Sequence, residues 1–231
     1  MNARNHGMIP RILEPEVMET TEDVAQYDAM DHGEVNARFA ADFLAVHGIG
    51  RGGEILDVGT GSARIPIEIV RADSLSRVMA LDLSEAMLEQ ASLNIAKAGL
   101  SRRIRCHLGD AKTLLDQFGE RAFEAVISNT IIHHIPDPGP VLEAMARLVA
   151  PRGTLFVRDL ARPSSRSEIE RLTMAYAGHE SPAARGLFAA SLGAALSLEE
   201  IQSLVKRMYL SPMDVVMTSD RHWTWVWRNV G

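Results

Sequence analysis

Apolar and polar positions along this chain follow two rhythms, and the rhythm switches repeatedly between residues 34 and 160. From Glu34 to His47, apolar Val35, Phe39, Phe43 and Val46 recur every three or four positions, which predicts an amphipathic helix. Gly48, Gly50, Gly52 and Gly53 end it. Glu54–Val58 then reads as a short buried strand, with Ile55, Leu56 and Val58 interrupted only by Asp57. Predicted helices over 62–72, 84–98 and 139–149 alternate with predicted strands over 77–82, 103–108, 123–129 and 153–159. Ser84 is placed to cap one helix and Gly99 to stop it. Alternation of this kind predicts an α/β fold, a parallel sheet with helices on both faces.

Both ends depart from the alternation. Residues 161–208 are alanine-rich and helical in pattern, broken near Ser181-Pro182 and Gly193. Ser197-Leu-Glu-Glu200 has the spacing of a capping box and opens a last helix over 198–208. Residues 213–218 and 222–227 read as two strands joined by Ser219-Asp220-Arg221, with Trp223, Trp225 and Trp227 on one face of the second. Residues 1–33 show little period, and Pro10 and Pro15 break any early helix; a short helical piece is expected around Val24–Met30. The expectation is a single domain over 1–231: an arm and helix over 1–50, a ligand-binding core over 51–160, a helical cap over 161–208 and a terminal hairpin over 209–231.

The chemistry concentrates in Asp57-Val-Gly59-Thr-Gly61-Ser-Ala-Arg64. Gly59 and Gly61 permit a tight turn and close backbone approach, and Ser62 is placed to cap a helix starting near Ala63. Strand, glycine turn and helix N-terminus form a nucleotide-type pocket. A dinucleotide fold wants a third small residue where this chain has the bulky Arg64, and a pyrophosphate gains nothing from the anionic Asp57. A cofactor with a cationic amino-acid end does gain from it.

The E-x-x-D-x-G-x-G pattern from Glu54 to Gly61 resembles motif I of the class I S-adenosylmethionine-dependent methyltransferases. Val78-Met-Ala-Leu-Asp82 resembles that family's second strand, with Asp82 lying 23 residues after Gly59. Gly109-Asp110-Ala111 resembles its G-D-A turn, and Phe123–Asn129 its motif IV region. The likeness spans roughly residues 50–160. It implies a Rossmann-like, seven-stranded, mostly parallel sheet with an antiparallel C-terminal strand, and S-adenosyl-L-methionine as cofactor. It further implies that Asp57, Gly59 and Gly61 meet the amino-acid end and that Asp82 receives the ribose hydroxyls. Leu83 would also bind the cofactor, Met87 would flank the adenine, Asp110 and Ala111 would contact its edge, and the Asn129 carbonyl would receive the ammonium. Tyr27, within an N-terminal aromatic segment, would close over the methionine end. The bland alternatives are an ordinary αβ turn, exposed strand-end acids and a core methionine.

Composition narrows the acceptor. The net charge is −6 with no lysine/arginine block, and motif IV is Ser128-Asn129-Thr-Ile rather than N-P-P-Y or D-P-P-Y. Both disfavour nucleic acid. The chain more closely resembles the small-molecule branch of ubiquinone- and menaquinone-type methyltransferases, which implies a small-molecule acceptor. Cys106 stands alone, so no internal disulfide or thiolate metal site is expected. With no leader pattern in the first twenty residues and no apolar run of membrane length, a cytoplasmic setting without membrane insertion is expected.

His133 and His134 follow the fourth predicted strand closely. Adjacent histidines are expected to point in different directions, so no metal is expected; one is expected to pack and the other to take a proton from the acceptor. Arg158 and Asp159, ending the fifth strand, either pair with one another or line the acceptor pocket, and Arg221 and His222 sit at the hairpin turn. Three function classes stay open: a small-molecule methyltransferase, an NAD(P)-dependent oxidoreductase, and a non-catalytic binding protein on the same fold.

Overall fold

The computed structural model of the protein describes residues 9–14 and 33–231. Its strands are β1 (Gly53–Val58), β2 (Ser76–Asp82), β3 (Ile104–Leu108), β4 (Phe123–Asn129), β5 (Val149–Leu160), β6 (Val215–Met217) and β7 (His222–Arg228). Its helices are α1 (Gly33–His47), α2 (Arg64–Ala72), α3 (Glu85–Lys97), α4 (Leu114–Phe118), α5 (Gly139–Leu148), α6 (Arg166–Ala177), α7 (Pro182–Ala194) and α8 (Leu198–Arg207). Among the described residues, seven strands form one sheet in the order β3-β2-β1-β4-β5-β7-β6. β1 pairs in parallel with β2 and with β4, β2 in parallel with β3, and β6 antiparallel with β7. Chain order reverses at the β1–β4 border, where open α/β sheets bind ligands at the carboxyl ends of their strands.

The chain divides into two compact units. One comprises the described parts of Val17–Asn129, Gly139–Val157 and Val226–Gly231. Its core joins sheet residues Ile55, Val78 and Ile127 with Phe39 and Phe43 of α1, which meet Phe156 edge-on at 5.1 and 5.9 Å between centroids. His47 ends α1 inside this core. It stacks on Phe43 and lies 3.2 Å from the Thr154 hydroxyl through Nδ1, and burial, reinforced by Arg51, lowers its pKa to about 4. It is a neutral core histidine.

The other unit comprises the described parts of Met1–Glu16, Thr130–Pro138 and Arg158–Trp225. Leu160, Leu172, Leu192 and Ala195 form an apolar cluster in it, with Ile169 and Phe188 packed alongside. Its helices start where serine stands to cap them. Ser165 and Ser181 accept from the N–H three residues on, and Ser197 and Glu200 form the full capping box. Pro182 follows its cap directly, where a missing N–H costs nothing.

Some boundaries differ from the sequence expectation for local reasons. β5 starts at Val149, four residues early, and Asn229 ties Val149, Arg152 and Gly153 to the last strand through its side chain and backbone. β6 is confined to Val215–Met217 because Pro212–Asp214 forms a 3₁₀ turn capped by Ser211. α4 is too short for a helical period to show in sequence. The expected helical piece at Val24–Met30 lies outside the described residues.

Candidate functional site

The turn after β1 is fixed by its own backbone. Gly59 and Gly61 have φ of 75° and 55°, a region L side chains avoid, and the Gly59 and Thr60 N–H groups both donate to the Leu81 carbonyl at 2.9 Å. The Gly61 N–H donates to Asp82 Oδ2 at 2.8 Å, while the Ser84 N–H donates to Asp82 Oδ1 at 2.9 Å. A Cβ built on Gly61 would point into open space. Ser62 does not cap the helix, contrary to the expectation. α2 starts at Arg64 behind Ala63, a left-handed residue with φ 60°, and the Ser62 carbonyl instead accepts from Asn94 Nδ2 at 3.0 Å.

Asp57 sits buried at the end of β1, where Oδ2 accepts from the Thr60 hydroxyl at 2.7 Å. Burial, together with the neighbouring Asp82 charge and against the Thr60 hydrogen bond, pushes it up to about 7. Burial raises Asp82 as well, against the N–H donors of Ser84, Gly61 and Leu83. The ionisable side chains hydrogen-bonded to this turn are therefore carboxylates short of positive charge. Such a set of acceptors fits a ligand end bearing an ammonium and disfavours a pyrophosphate.

The remaining residues expected for a cofactor fall around the same sheet edge. Met87 lies buried in the first turn of α3, its N–H on the Ser84 hydroxyl, and Leu83 is exposed before it. Asp110 caps a 3₁₀ turn opened by Ala111, with Oδ1 accepting from the Lys112 N–H at 2.8 Å. Gln117 donates to the Asp110 carbonyl and holds that turn in place. Asn129 ends β4, and the preceding Ser128 hydroxyl donates to the Val58 carbonyl at 2.8 Å, tying the ends of β1 and β4 together at the switch point. Tyr27 lies outside the described residues.

A second cluster stands in the other unit. Thr130 follows β4 with φ 56°, an uncommon state for a β-branched residue, and its N–H donates to the Arg158 carbonyl at 2.9 Å. The chain then makes the 3₁₀ turn Ile132–His134. Asp159, buried, accepts from the Ile132 and Leu160 N–H groups and from His133 Nδ1, each at 2.6 Å. Burial would push Asp159 up, yet His133 and the N–H donors outweigh it and hold the carboxyl below its ordinary value. His133, likewise buried, is raised to about 9 because Asp159 and Glu14 outweigh its desolvation.

The two histidines do not diverge as expected. Their rings stand 4.1 Å apart, and His133 Nε2 and His134 Nδ1 lie 3.3 and 3.4 Å from the same oxygen, Oε1 of Glu14. Asp159 pairs with His133 rather than with Arg158, whose Nε donates to the Thr224 hydroxyl. Arg221 stacks over the Tyr176 ring, and burial lowers His222 to about 4. Sequence reasoning missed Glu14, which is four residues past the signal-poor Pro10. It also missed Arg11, whose guanidinium donates to the carbonyls of His133, Ile135, Pro136 and Ala194. No local pattern marks either residue.

The sheet order, the antiparallel final strand and the carboxylate-bearing glycine turn at the switch point define a class I methyltransferase fold, the class whose cofactor is S-adenosylmethionine. A family model for a methyltransferase domain matches residues 49–210. The chain belongs to this methyltransferase family. It is 33% identical over 119 residues to an uncharacterised methyltransferase of Mycobacterium bovis, covering 52% of this chain and 56% of that protein. It is 30% identical over 113 residues to a ubiquinone biosynthesis O-methyltransferase of Xanthomonas axonopodis, covering 48% and 44%. The chain thus spans about half the length of the curated relatives it matches. The fold is similar to the crystal structure of an S-adenosylmethionine-dependent methyltransferase from Aquifex aeolicus, with TM-score 0.68 at 15% identity over 92% of this chain and all of that one. Among the described residues, no helix is long and apolar enough to cross a membrane.

Proposed function

We propose that this chain transfers a methyl group from S-adenosylmethionine to a small molecule. The observation that carries the proposal is Asp57, a buried carboxylate at the end of β1 with one hydroxyl donor and a second acid beside it. When bound, S-adenosylmethionine supplies a methyl group already activated by a sulfonium. Its amino-acid end brings the positive charge that Asp57 lacks. The Asn129 carbonyl takes part at that end, Asp82 receives the ribose hydroxyls, and Asp110 with Ala111 reads the adenine edge between Leu83 and Met87. Gly59 and Gly61 keep the turn free of side chains so that the backbone itself meets the cofactor.

In-line transfer from a sulfonium asks the protein chiefly to position and desolvate. The buried His133 is committed through Nδ1 to Asp159, which suits a positioning role. His134 is part exposed and is the member of the pair able to face an acceptor. A small acceptor is supported by the net charge of −6 and by Ser128-Asn129 in place of a base-methylating motif. The similarity to ubiquinone biosynthesis O-methyltransferases favours a hydroxyl. We place the reaction in the cytoplasm, consistent with the single cysteine. Asp57 and Arg64 weigh against an NAD(P)-dependent oxidoreductase. The test is transfer of labelled methyl from S-adenosylmethionine to a panel of small hydroxylated aromatics, alongside tRNA and duplex DNA. Label in a small molecule is expected; label confined to nucleic acid, or none in any acceptor, overturns the proposal.

A further inference from the structure

We propose that Glu14, His133 and His134 form a binding site for one divalent transition-metal ion of the zinc type, with Asp159 orienting His133 behind it. The proposal stands apart from the methyl-transfer reading and rests on the cluster's geometry. Glu14 Oε1, His133 Nε2 and His134 Nδ1 all lie within 4.8 Å of one another, with 3.3 and 3.4 Å from the carboxylate oxygen to the two imidazole nitrogens. Those separations exceed the roughly 2.7–2.9 Å of a charge-assisted hydrogen bond. They match the spacing of about 3.3–3.4 Å between neighbouring ligand atoms when nitrogen and oxygen sit about 2.0–2.1 Å from a tetrahedral ion.

Three further observations support it. Glu14 Oε1 is a buried atom with no well-formed hydrogen bond, on a side chain only 9% exposed. A carboxylate so placed needs positive charge beside it, which the His133 imidazolium supplies in the metal-free chain and a bound ion would supply in its place. Asp159 accepts from His133 Nδ1 at 2.6 Å, the carboxylate–histidine arrangement that fixes a ligating imidazole with its other nitrogen forward. The frame is also rigid. Arg11 donates to the carbonyls of His133, Ile135, Pro136 and Ala194, and the Ile12 N–H donates to the Gly193 carbonyl, so the segment bearing Glu14 is fastened beside the histidine turn.

Two imidazoles and one carboxylate select a borderline transition ion over magnesium or calcium, which prefer all-oxygen sites. Binding replaces any proton on His133 Nε2, releasing it to solvent, while the Nδ1 proton stays on the Asp159 hydrogen bond. Three protein ligands leave a fourth tetrahedral position open to a water or a small oxygen ligand.

The experiment uses the full chain, stripped with a chelator and dialysed. Cobalt(II) titration is followed by visible absorption and zinc titration by calorimetry. One equivalent per chain is expected, with intense tetrahedral cobalt bands, displacement by zinc, and no displacement by millimolar magnesium. Glu14→Gln and His134→Ala should each weaken zinc at least tenfold while leaving the metal-free unfolding temperature near that of the parent chain. Asp159→Asn should weaken it by about 10–100-fold. Absence of stoichiometric binding to the parent chain overturns the proposal. So does unchanged zinc affinity in both Glu14→Gln and His134→Ala, since the ion would then sit elsewhere.

Discussion

Two buried aspartates, Asp57 at the end of β1 and Asp159 at the end of β5, have similar burial and opposite electrostatics. Asp159 is surrounded by donors: two backbone N–H groups and an imidazole, each at 2.6 Å, which hold it ionised. Asp57 has one hydroxyl donor and an acidic neighbour, and it rises to about 7. The protein has satisfied one carboxylate internally and left the other short of charge. The first organises the molecule's own structure, and the second leaves a demand that a cationic ligand meets. Burial of an acid therefore marks a candidate ligand site only after its partners have been counted.

Removing each carboxylate sharpens the contrast. Asp159→Ala leaves three donors, one of them a buried imidazolium, without their acceptor and should cost about 3–5 kcal/mol in urea unfolding. Asp57→Asn replaces a poorly solvated acid by a neutral isostere and should change stability by less than about 1 kcal/mol. A loss of similar size in both variants would break the comparison. His47 extends the same reasoning to a base. Its folded pKa of about 4 lies below the ordinary 6.5, so only the unfolded chain takes up the proton between those values. Its contribution is complete above pH 6.5 and is lost as pH falls from 6.5 towards 4, by at most about 1.4 kcal/mol per pH unit. His222, also lowered to about 4, acts in the same window. Unfolding curves at pH 4.5 and 7 should differ accordingly, and His47→Gln should flatten the dependence.

Ligand binding gives the smaller effects. Gly61→Val forces a branched side chain into a left-handed conformation and into the open space before the turn, so S-adenosylhomocysteine affinity should fall about 100-fold. Asp82→Ala removes hydrogen bonds worth about 0.5–1.5 kcal/mol each and should cost roughly tenfold in calorimetry. Unchanged affinity in Asp82→Ala would take that residue out of the site.

The candidate site at β1 could be proposed from sequence because its parts are near-consecutive or stand at strand ends. Asp57, Gly59 and Gly61 lie within five residues at the end of β1 and the turn after it, and Asp82 follows the apolar run Val78–Leu81. Most core strands were legible for the same reason, with β4 matching from Phe123 to Asn129. The cap of α2 was misread because Ser62 and Ala63 both precede the helix, and only the fold reveals that Asn94 occupies the Ser62 carbonyl. The histidine cluster was legible only in part. The His133-His134 pair is visible in sequence, but its partners Glu14 and Asp159 come from segments 119 residues before it and 26 after it, and their meeting is a product of tertiary structure.

The central claim is that the turn at Asp57 receives a cation-bearing nucleoside rather than a pyrophosphate. Calorimetry of the full chain with S-adenosylhomocysteine and with NAD, near pH 7 in two buffers of different ionisation enthalpy, tests it most directly. The account predicts micromolar-range binding of S-adenosylhomocysteine with proton release, as the ligand's ammonium draws Asp57 below its free-state value of about 7, and no saturable binding of NAD. Tighter binding of NAD, or S-adenosylhomocysteine binding that Asp57→Asn leaves unchanged in both affinity and proton release, would contradict it.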